Sequence, residues 1–299
     1  MPDAFLEYDV VDVFAQQPFA GNQLAVVHGA GELDDTALLT LAREFNFSET
    51  AFPTVLDEGR YRTRIFTPGG EVPFAGHPTL GTAWVLRDRG TITGPAVVQE
   101  CAVGEVEVRL EGDRVELSAS PRDLAGPLGD GFVAQLVEEL GLDLEDVAGE
   151  TWLAGAGLTF VHLPVREEAV GRARAPRRSV REIADLPQTG DPLDGINLHA
   201  VLERSGEEVQ VHSRVFVPGL SVSEDAATGS AAAGLGMALQ ARAVLGDGDR
   251  YRISQGVEIG RPSVLEGRID VDERVTRVHV AGGVHGIASG RIRVPTGGA

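Results

Sequence analysis

Two residues that can hold or release a proton, His77 and Asp225, each precede a stretch rich in small residues. The stretch after His77 follows a strand-like segment and a Pro-Gly-Gly turn, and Pro78 is typical of a first helical turn. Gly76 lets a ligand approach the backbone closely. Free N–H groups at such a helix start bind anions, and histidine titrates near neutral pH. The pattern predicts an anion-binding turn beside a titratable group. An ordinary loop histidine before a helix is an equally good interpretation of the same sequence.

The stretch from Ser223 to Gly234 repeats this pattern in the other half of the chain. It follows a strand at 209–217 and a Pro-Gly turn, and it enters a small-residue helix at about Ser230. Asp225 takes the position that His77 has in the first stretch. Two such strand–turn–helix units, one in each half, indicate a duplicated domain with its site between the copies.

Glu49 is a third candidate for proton transfer. It enters a strand among Phe47, Ala51 and Phe52. Burial in that apolar setting would raise the pKa of the carboxyl group and suit it to general acid–base catalysis. A solvent-facing strand residue is the other interpretation, and the local sequence slightly favours it.

Composition excludes several classes of enzyme and partner. All 26 cationic side chains are arginine, so neither a Schiff-base lysine nor the lysine of a Walker A loop is available. The net charge of −19 argues against a nucleic-acid partner. The seven histidines lack metal-ligand spacing, and Cys101, expected to be a buried strand residue, is the single cysteine. No dinucleotide-binding glycine motif follows the first strand. We therefore expect an enzyme with no metal and no cofactor.

The chain is also expected to be cytoplasmic. No window has the roughly 18 unbroken apolar residues of a membrane span. The N-terminus lacks the positive start and apolar run of a signal peptide.

The remaining sequence reads mostly as short strands with Gly or Asp in the turns. A helix capped by Asp34 or Asp35 runs to Phe45, and another begins at Phe132. Near the end, strands are predicted at 256–260, 274–279 and 286–294. A segment at 120–129, rich in Pro and Gly, marks the crossover between the halves. The predicted domains are 1–120 with a returning strand at 284–295, and 121–283.

These residues resemble the PhzF family of phenazine-biosynthesis-like isomerases over nearly the whole chain. The resemblance rests on ordered blocks: VDVF at 11–14, PFAGN at 18–22, FSET at 47–50, FTP at 66–68, EVPFAGHPT at 71–79, SEDAATGSA at 223–231, QG at 255–256 and GRPS at 260–263. It implies an α+β fold like that of diaminopimelate epimerase. In that fold, two similar domains each curl a mostly antiparallel sheet around a central helix, with the site in the cleft between them.

The resemblance also implies roles for individual residues. Glu49 is expected to be the general acid/base, while His77 and Asp225 are expected to hold polar groups of the substrate and to tune the protonation of the site. The groups expected to bind a substrate carboxylate are Ser48, Gly76, Gly229 and Ser230. The two cysteines of the epimerase relatives are absent, which fits the PhzF branch. Family members need no cofactor and are typically homodimers.

Two positions depart from the family pattern. Ala226 and Gln23 stand where the family often has proline. Both changes alter loop stiffness and remove no reactive group.

The leading hypothesis is a cofactor-independent isomerase that transfers a proton at carbon of a small carboxylate, with a trans-2,3-dihydro-3-hydroxyanthranilate-like compound as one candidate. The alternative is a non-catalytic protein that kept the fold and binds a small carboxylate. The joint presence of Glu49, His77 and Asp225 argues against that alternative. A hydrolase or lyase would need an activated Ser or Cys, and no Gly-x-Ser-x-Gly motif is present.

Overall fold

The computed structural model describes residues 4–122, 124–178, 180–182, 193–218 and 223–295. The chain divides into two compact units. The first comprises Met1–Leu117 and Ala281–Ala299, and the second comprises Ser118–Val280.

The first unit consists mainly of strands. Its elements are β1 (Phe5–Val13), β2 (Asn22–Val27), α1 (Asp35–Phe45), β3 (Glu49–Asp57), β4 (Arg60–Thr67), β5 (Gly70–Val72), α2 (Gly76–Asp88), β6 (Ala96–Cys101), β7 (Gly104–Glu111) and most of β8 (Arg114–Ala119). Asp34 caps α1 by accepting a hydrogen bond from the Ala37 N–H.

The second unit has a similar content. Its elements are α3 (Asp130–Glu139), β9 (Trp152–Ala156), β10 (Leu158–Pro164), α4 (Glu167–Val170), β11 (Leu193–Ser205), β12 (Glu208–Phe216), β13 (Glu224–Asp225), α5 (Gly229–Ala241), β14 (Arg250–Gln255), β15 (Ser263–Asp272) and the first part of β16 (Arg274–Arg293). Single 3₁₀ turns lie at Leu144–Asp146 and Val180–Glu182. The second part of β16 belongs to the first unit, where residues 284–293 pair antiparallel with β1.

The two units share one order of strand pairings. In the first, β1–β2 is antiparallel, β2–β3 parallel, β3–β4 antiparallel, β4–β6 parallel and β6–β7 antiparallel. In the second, β9–β10, β10–β11, β11–β12, β12–β14 and β14–β15 follow the same alternation. Short strands β5 and β13 pair with β4 and β12, just before the helices α2 and α5. The shared order supports the predicted duplication.

A small-residue helix forms the centre of each unit. α2 contacts β1, β2, β3, β6 and β7, and α5 contacts β9, β10 and β15. A Cβ atom at Gly81 would lie 2.6 Å from Leu24 Cδ2, and one at Gly234 would lie 2.7 Å from the Ala154 carbonyl oxygen. Small side chains therefore allow the strands to approach each helix closely. The predicted fold class, two similar units with mostly antiparallel strands around a central helix, is confirmed.

The outer helices cover further apolar surface. Leu38 and Leu41 of α1 pack in a buried cluster with Phe52 and Phe66. In the second unit, α3 and α4 contribute to a larger cluster with β9, β10 and β11. Burial of this apolar surface stabilises each unit. Within the described ranges, no helix is both long and apolar enough to cross a membrane.

The structure differs from the sequence predictions at four places. Residues 256–260 form a turn and not a strand, because Gly256 and Gly260 have φ of 74° and 72°. The strands predicted at 274–279 and 286–294 are present, but the structure joins them in the continuous strand β16. Cys101 is partly exposed at the end of β6, where its thiol donates to the Gly104 carbonyl oxygen at 3.4 Å. Strand β9 was missed, since three of its five residues, Ala154, Gly155 and Ala156, have weak strand propensity.

Candidate active site

Four side chains of the first unit meet at the start of α2: Asn22, Ser48, Glu49 and His77. Asn22 is the first residue of β2, and Glu49 is the first residue of β3. Because β2 and β3 pair in parallel, these first residues lie at the same edge of the sheet. His77 is in the first turn of α2. The parallel pairing and the helix start therefore place the acid and the histidine together.

Asn22 links the members of this group. Ser48 Oγ donates to Asn22 Oδ1 at 3.2 Å, and Asn22 Nδ2 lies 3.4 Å from His77 Nδ1. With the amide oriented to accept from Ser48, Nδ2 donates to the histidine ring. A neutral His77 then carries its proton on Nε2, the nitrogen that faces Glu49.

Glu49 is held in a largely desolvated position. Its side chain is 19% exposed, and His77, only 4% exposed, places Nε2 3.6 Å from Glu49 Oε2. That oxygen has no exposed surface and accepts no hydrogen bond from the described residues. Burial raises the pKa of Glu49 from 4.5 to about 7, and the neighbouring Ser48 hydroxyl opposes part of that rise. The burial agrees with the apolar interpretation of its neighbours and not with the solvent-facing one that the local sequence slightly favoured. Such a carboxyl group can take up and return a proton at neutral pH.

The start of α2 also presents backbone donors. The N-cap residue is Ala75, and no described side chain caps the helix. Gly76 and His77 are buried, so the helix dipole acts there with little solvent screening. Thr79 Oγ1 donates to the Ala75 carbonyl oxygen at 2.9 Å and receives a hydrogen bond from Gln99 Nε2 at 2.9 Å. These contacts fix the backbone at the helix start.

A second group lies at the start of α5 in the second unit. Thr228 Oγ1 donates to Asp225 Oδ2 at 2.6 Å. Gln255 Nε2 donates to the Asp225 carbonyl oxygen at 2.9 Å and to Thr228 Oγ1 at 3.1 Å. Gly229 and Ser230 are the first two residues of α5 and are buried. The arrangement combines a carboxylate with the N–H groups of a helix whose N-cap, Thr228, makes no described side-chain cap bond.

The structure thus brings the predicted site residues together in two groups, one in each unit. Ser48, Glu49, Gly76 and His77 surround the start of α2, while Asp225, Gly229 and Ser230 surround the start of α5. Sequence reasoning did not assign roles to Asn22, Thr228 or Gln255. Their positions inside the PFAGN, SEDAATGSA and QG blocks were the available signal. In the part of the chain that the structure describes, no group of three His, Cys, Asp or Glu side chains could hold a metal ion.

Comparison with known proteins gives one family. The model of the PhzC-PhzF family, described as phenazine biosynthesis-like protein, matches residues 11–124 and 140–289. A curated relative, trans-2,3-dihydro-3-hydroxyanthranilate isomerase of Pseudomonas aeruginosa, is 36% identical over 295 residues, which cover 95% of this chain and 98% of the relative.

Solved structures show the same fold. A predicted epimerase from Pseudomonas aeruginosa is 29% identical, with a TM-score of 0.79 over 96% of this chain and 99% of the other. A PhzF-family phenazine biosynthesis protein from Bacillus anthracis has a TM-score of 0.83 at 20% identity, covering 97% and 99% of the two chains. The family match spans most of the sequence, and similar relatives carry isomerase names. This chain therefore belongs to the phenazine biosynthesis-like PhzF family and is an isomerase.

Proposed function

We propose that the protein is a cofactor-independent isomerase that moves a proton between carbon atoms of a small carboxylate, with Glu49 as the general acid/base. The observation that carries this proposal is the environment of Glu49. Its carboxyl group has a pKa raised to about 7 by burial and lies beside a hydrogen-bonded histidine. A proton carrier is most effective when its pKa is near the working pH.

The proposed reaction needs only one proton carrier. Glu49 as a carboxylate removes a proton from a substrate carbon, so a C–H bond breaks and an O–H bond forms. The electron pair left on carbon delocalises into the adjacent unsaturated system. The Glu49 carboxylic acid, after exchange of its proton with solvent, then delivers a proton to a second carbon, which restores the carboxylate. No electron or leaving group is gained or lost.

The other residues have supporting roles in this proposal. His77, with its proton on Nε2, donates to a polar group of the substrate and limits the charge that builds up near Glu49. The N–H groups at Gly76 and Gly229 and the hydroxyl of Ser230 bind the substrate carboxylate, and the Ser48 hydroxyl turns from Asn22 to donate to the same carboxylate. Asp225 accepts hydrogen bonds from hydroxyl or amino groups of the substrate. These assignments are supported by the buried first residues of α2 and α5 and by the lack of a described side-chain cap bond at either helix start.

The name of the curated relative suggests the substrate class. At 36% identity over nearly the full length of both chains, we propose a ring carboxylate similar to trans-2,3-dihydro-3-hydroxyanthranilate. A different member of the same class would need the same three features: a carboxylate, an acidic C–H bond and a neighbouring unsaturated bond.

Solvent exchange tests the reaction directly. The protein, dialysed against a chelator, is incubated in D₂O with trans-2,3-dihydro-3-hydroxyanthranilate and with a panel of other unsaturated ring carboxylates. Deuterium is then located by NMR. We expect deuterium at carbon in the product of at least one compound. Binding of these compounds by the wild type with neither product formation nor deuterium incorporation would favour the non-catalytic alternative.

Two matched variants test the role of Glu49. Glu49→Gln keeps the size of the side chain but removes the base, so exchange and turnover should fall by about 10² or more while binding persists. Glu58→Gln makes the same chemical change at an exposed position of the same unit and should leave both unchanged. Full activity in Glu49→Gln would disprove the assigned role.

A further inference from the structure

Arg214 is a buried cation on β12, in the second unit. The residue is 7% exposed. Its Nε and Nη2 atoms donate to the two carboxylate oxygens of Glu224 at 2.9 and 2.7 Å. Its Nη1 atom donates to the carbonyl oxygens of Val170 and Ala173 at 3.0 and 2.7 Å. The guanidinium group also lies 4.9 Å from the centre of the Phe216 ring.

Glu224 connects this cation to the candidate site. It directly precedes Asp225, and the two residues form the whole of β13. β13 pairs with Val215 and Phe216, next to Arg214 on β12. Backbone pairing over two residues is weak by itself, because stable strands usually have more residues. The side-chain contact of Glu224 is therefore a main restraint on the backbone that carries Asp225.

The geometry of the pair makes it a rigid restraint. Two parallel N–H···O bonds between a guanidinium and a carboxylate fix both distance and orientation. The Glu224 side chain is 8% exposed, so solvent screens the contact little. Because Nε, Nη1 and Nη2 all donate to protein oxygens, Arg214 acts on the site through Glu224.

We infer that Arg214 is a positioning residue for the isomerase: its pair with Glu224 holds β13 so that Asp225 accepts the Thr228 hydroxyl and faces the start of α5. The inference rests on the proposed function, because Asp225 acts on substrate only there. The pair thus joins the end of α4 and the residues after it, through the carbonyl groups of Val170 and Ala173, to the segment that carries Asp225.

Arg214→Met tests the inference, with Arg204→Met as the matched control. Arg204 also binds one carboxylate, that of Asp249 at 2.7 Å, and backbone carbonyl groups at Gly206 and Val244, but it lies on β11. We expect kcat/KM to fall about tenfold or more in Arg214→Met and to stay within about twofold of wild type in Arg204→Met. Arg214→Lys, which keeps the charge without the two parallel bonds, should recover part of the loss.

Breaking one partner of a buried ion pair can prevent folding. Arg214→Met combined with Glu224→Met replaces the pair by apolar side chains and should keep the fold while losing the same activity. Wild-type activity in this folded double variant would overturn the inference.

A double-mutant cycle separates positioning from general stability. In an Asp225→Asn background, Arg214→Met should lower kcat/KM by less than about twofold. Arg214 acts through Asp225, and that residue is already changed in this background. An equal loss in both backgrounds would show that Arg214 does not act through Asp225.

Amide hydrogen exchange gives a readout that needs no substrate. Exchange at residues 224–228 should accelerate about tenfold or more in Arg214→Met, with little change in Arg204→Met. Unchanged exchange at these residues would contradict the inference even in an active enzyme. Faster exchange together with a wild type that turns over no tested carboxylate would refute the proposed function and leave the restraint on β13 established.

Discussion

Tyr61 and Tyr251 make the same contact in their respective units. The Tyr61 hydroxyl donates to the carbonyl oxygen of Thr79 at 3.4 Å, and the Tyr251 hydroxyl donates to that of Ala232 at 2.9 Å. Thr79 and Ala232 occupy corresponding positions in the first turn of α2 and α5. Both rings are buried, which raises the pKa of each phenol. A buried tyrosine thus anchors each helix close to its candidate functional end.

The shorter contact should contribute more to stability. Tyr251→Phe is expected to lower the free energy of unfolding by about 1 kcal/mol, and Tyr61→Phe by less, because its hydrogen bond is long. Chemical denaturation of the two variants measures the difference. A larger loss in Tyr61→Phe would show that hydrogen-bond length does not decide the ranking.

The pH dependence of catalysis should report the raised pKa of Glu49. The carboxylate form starts the proposed reaction, so kcat/KM should rise about tenfold per pH unit below pH 7 and level off above it. A steady-state pH profile on the active substrate measures this. A rate that stays constant down to pH 5 would mean that the essential base has an ordinary carboxyl pKa.

The same pKa shift should appear in folding stability. Burial raises the pKa of Glu49 from 4.5 to about 7 in the folded state, so folding favours the protonated form. Its contribution is most favourable below pH 4.5, is lost as pH rises towards 7, and is constant above that. Relative to Glu49→Gln, the wild type should lose roughly 2–3 kcal/mol of unfolding free energy between pH 5 and pH 8.

Denaturation of both proteins at several pH values measures that difference. Comparison with Glu49→Gln cancels the titration of the other groups, which the two proteins share. Parallel curves for wild type and variant would show that Glu49 has the same pKa in the folded and unfolded states.

The central helices should tolerate no larger side chain at their closest contacts. A Cβ at Gly234 would lie 2.6 Å from His162 Nε2 and 2.7 Å from the Ala154 carbonyl oxygen. Gly234→Ala should therefore cost about 1–3 kcal/mol, even though alanine favours a helix.

Gly131, near the start of α3, provides the control. A Cβ there would meet no described heavy atom within 4 Å. Gly131→Ala should be neutral or stabilise by up to about 1 kcal/mol. Thermal unfolding measures both variants. Equal changes in their stability would show that β9 and β10 can move to accommodate the added methyl group at Gly234 without loss of stability.

The elements that carry chemistry were predictable because their signals are local. Pro78 and the small residues around it specify a helix start, and Asp34 specifies a cap, whatever the rest of the chain does. The turn at 256–260 was not predictable from apolar periodicity, because Val257 and Ile259 alternate as in a strand. The left-handed φ angles of Gly256 and Gly260 turn this segment instead.

The sequence by itself determined the duplicated fold and the residue types of the site, because motif spacing and small-residue runs are properties of the chain. Only the tertiary structure decided between a solvent-facing and a desolvated Glu49. Its burial, which raises its pKa, depends on the parallel pairing of β2 and β3 and on the buried start of α2 beside them. The same holds for the bonds of Asn22 to Ser48 and His77 and for those of Arg214 to Val170 and Ala173, which join residues distant in sequence. Desolvation and hydrogen bonding arise from contacts between elements, which no local pattern encodes.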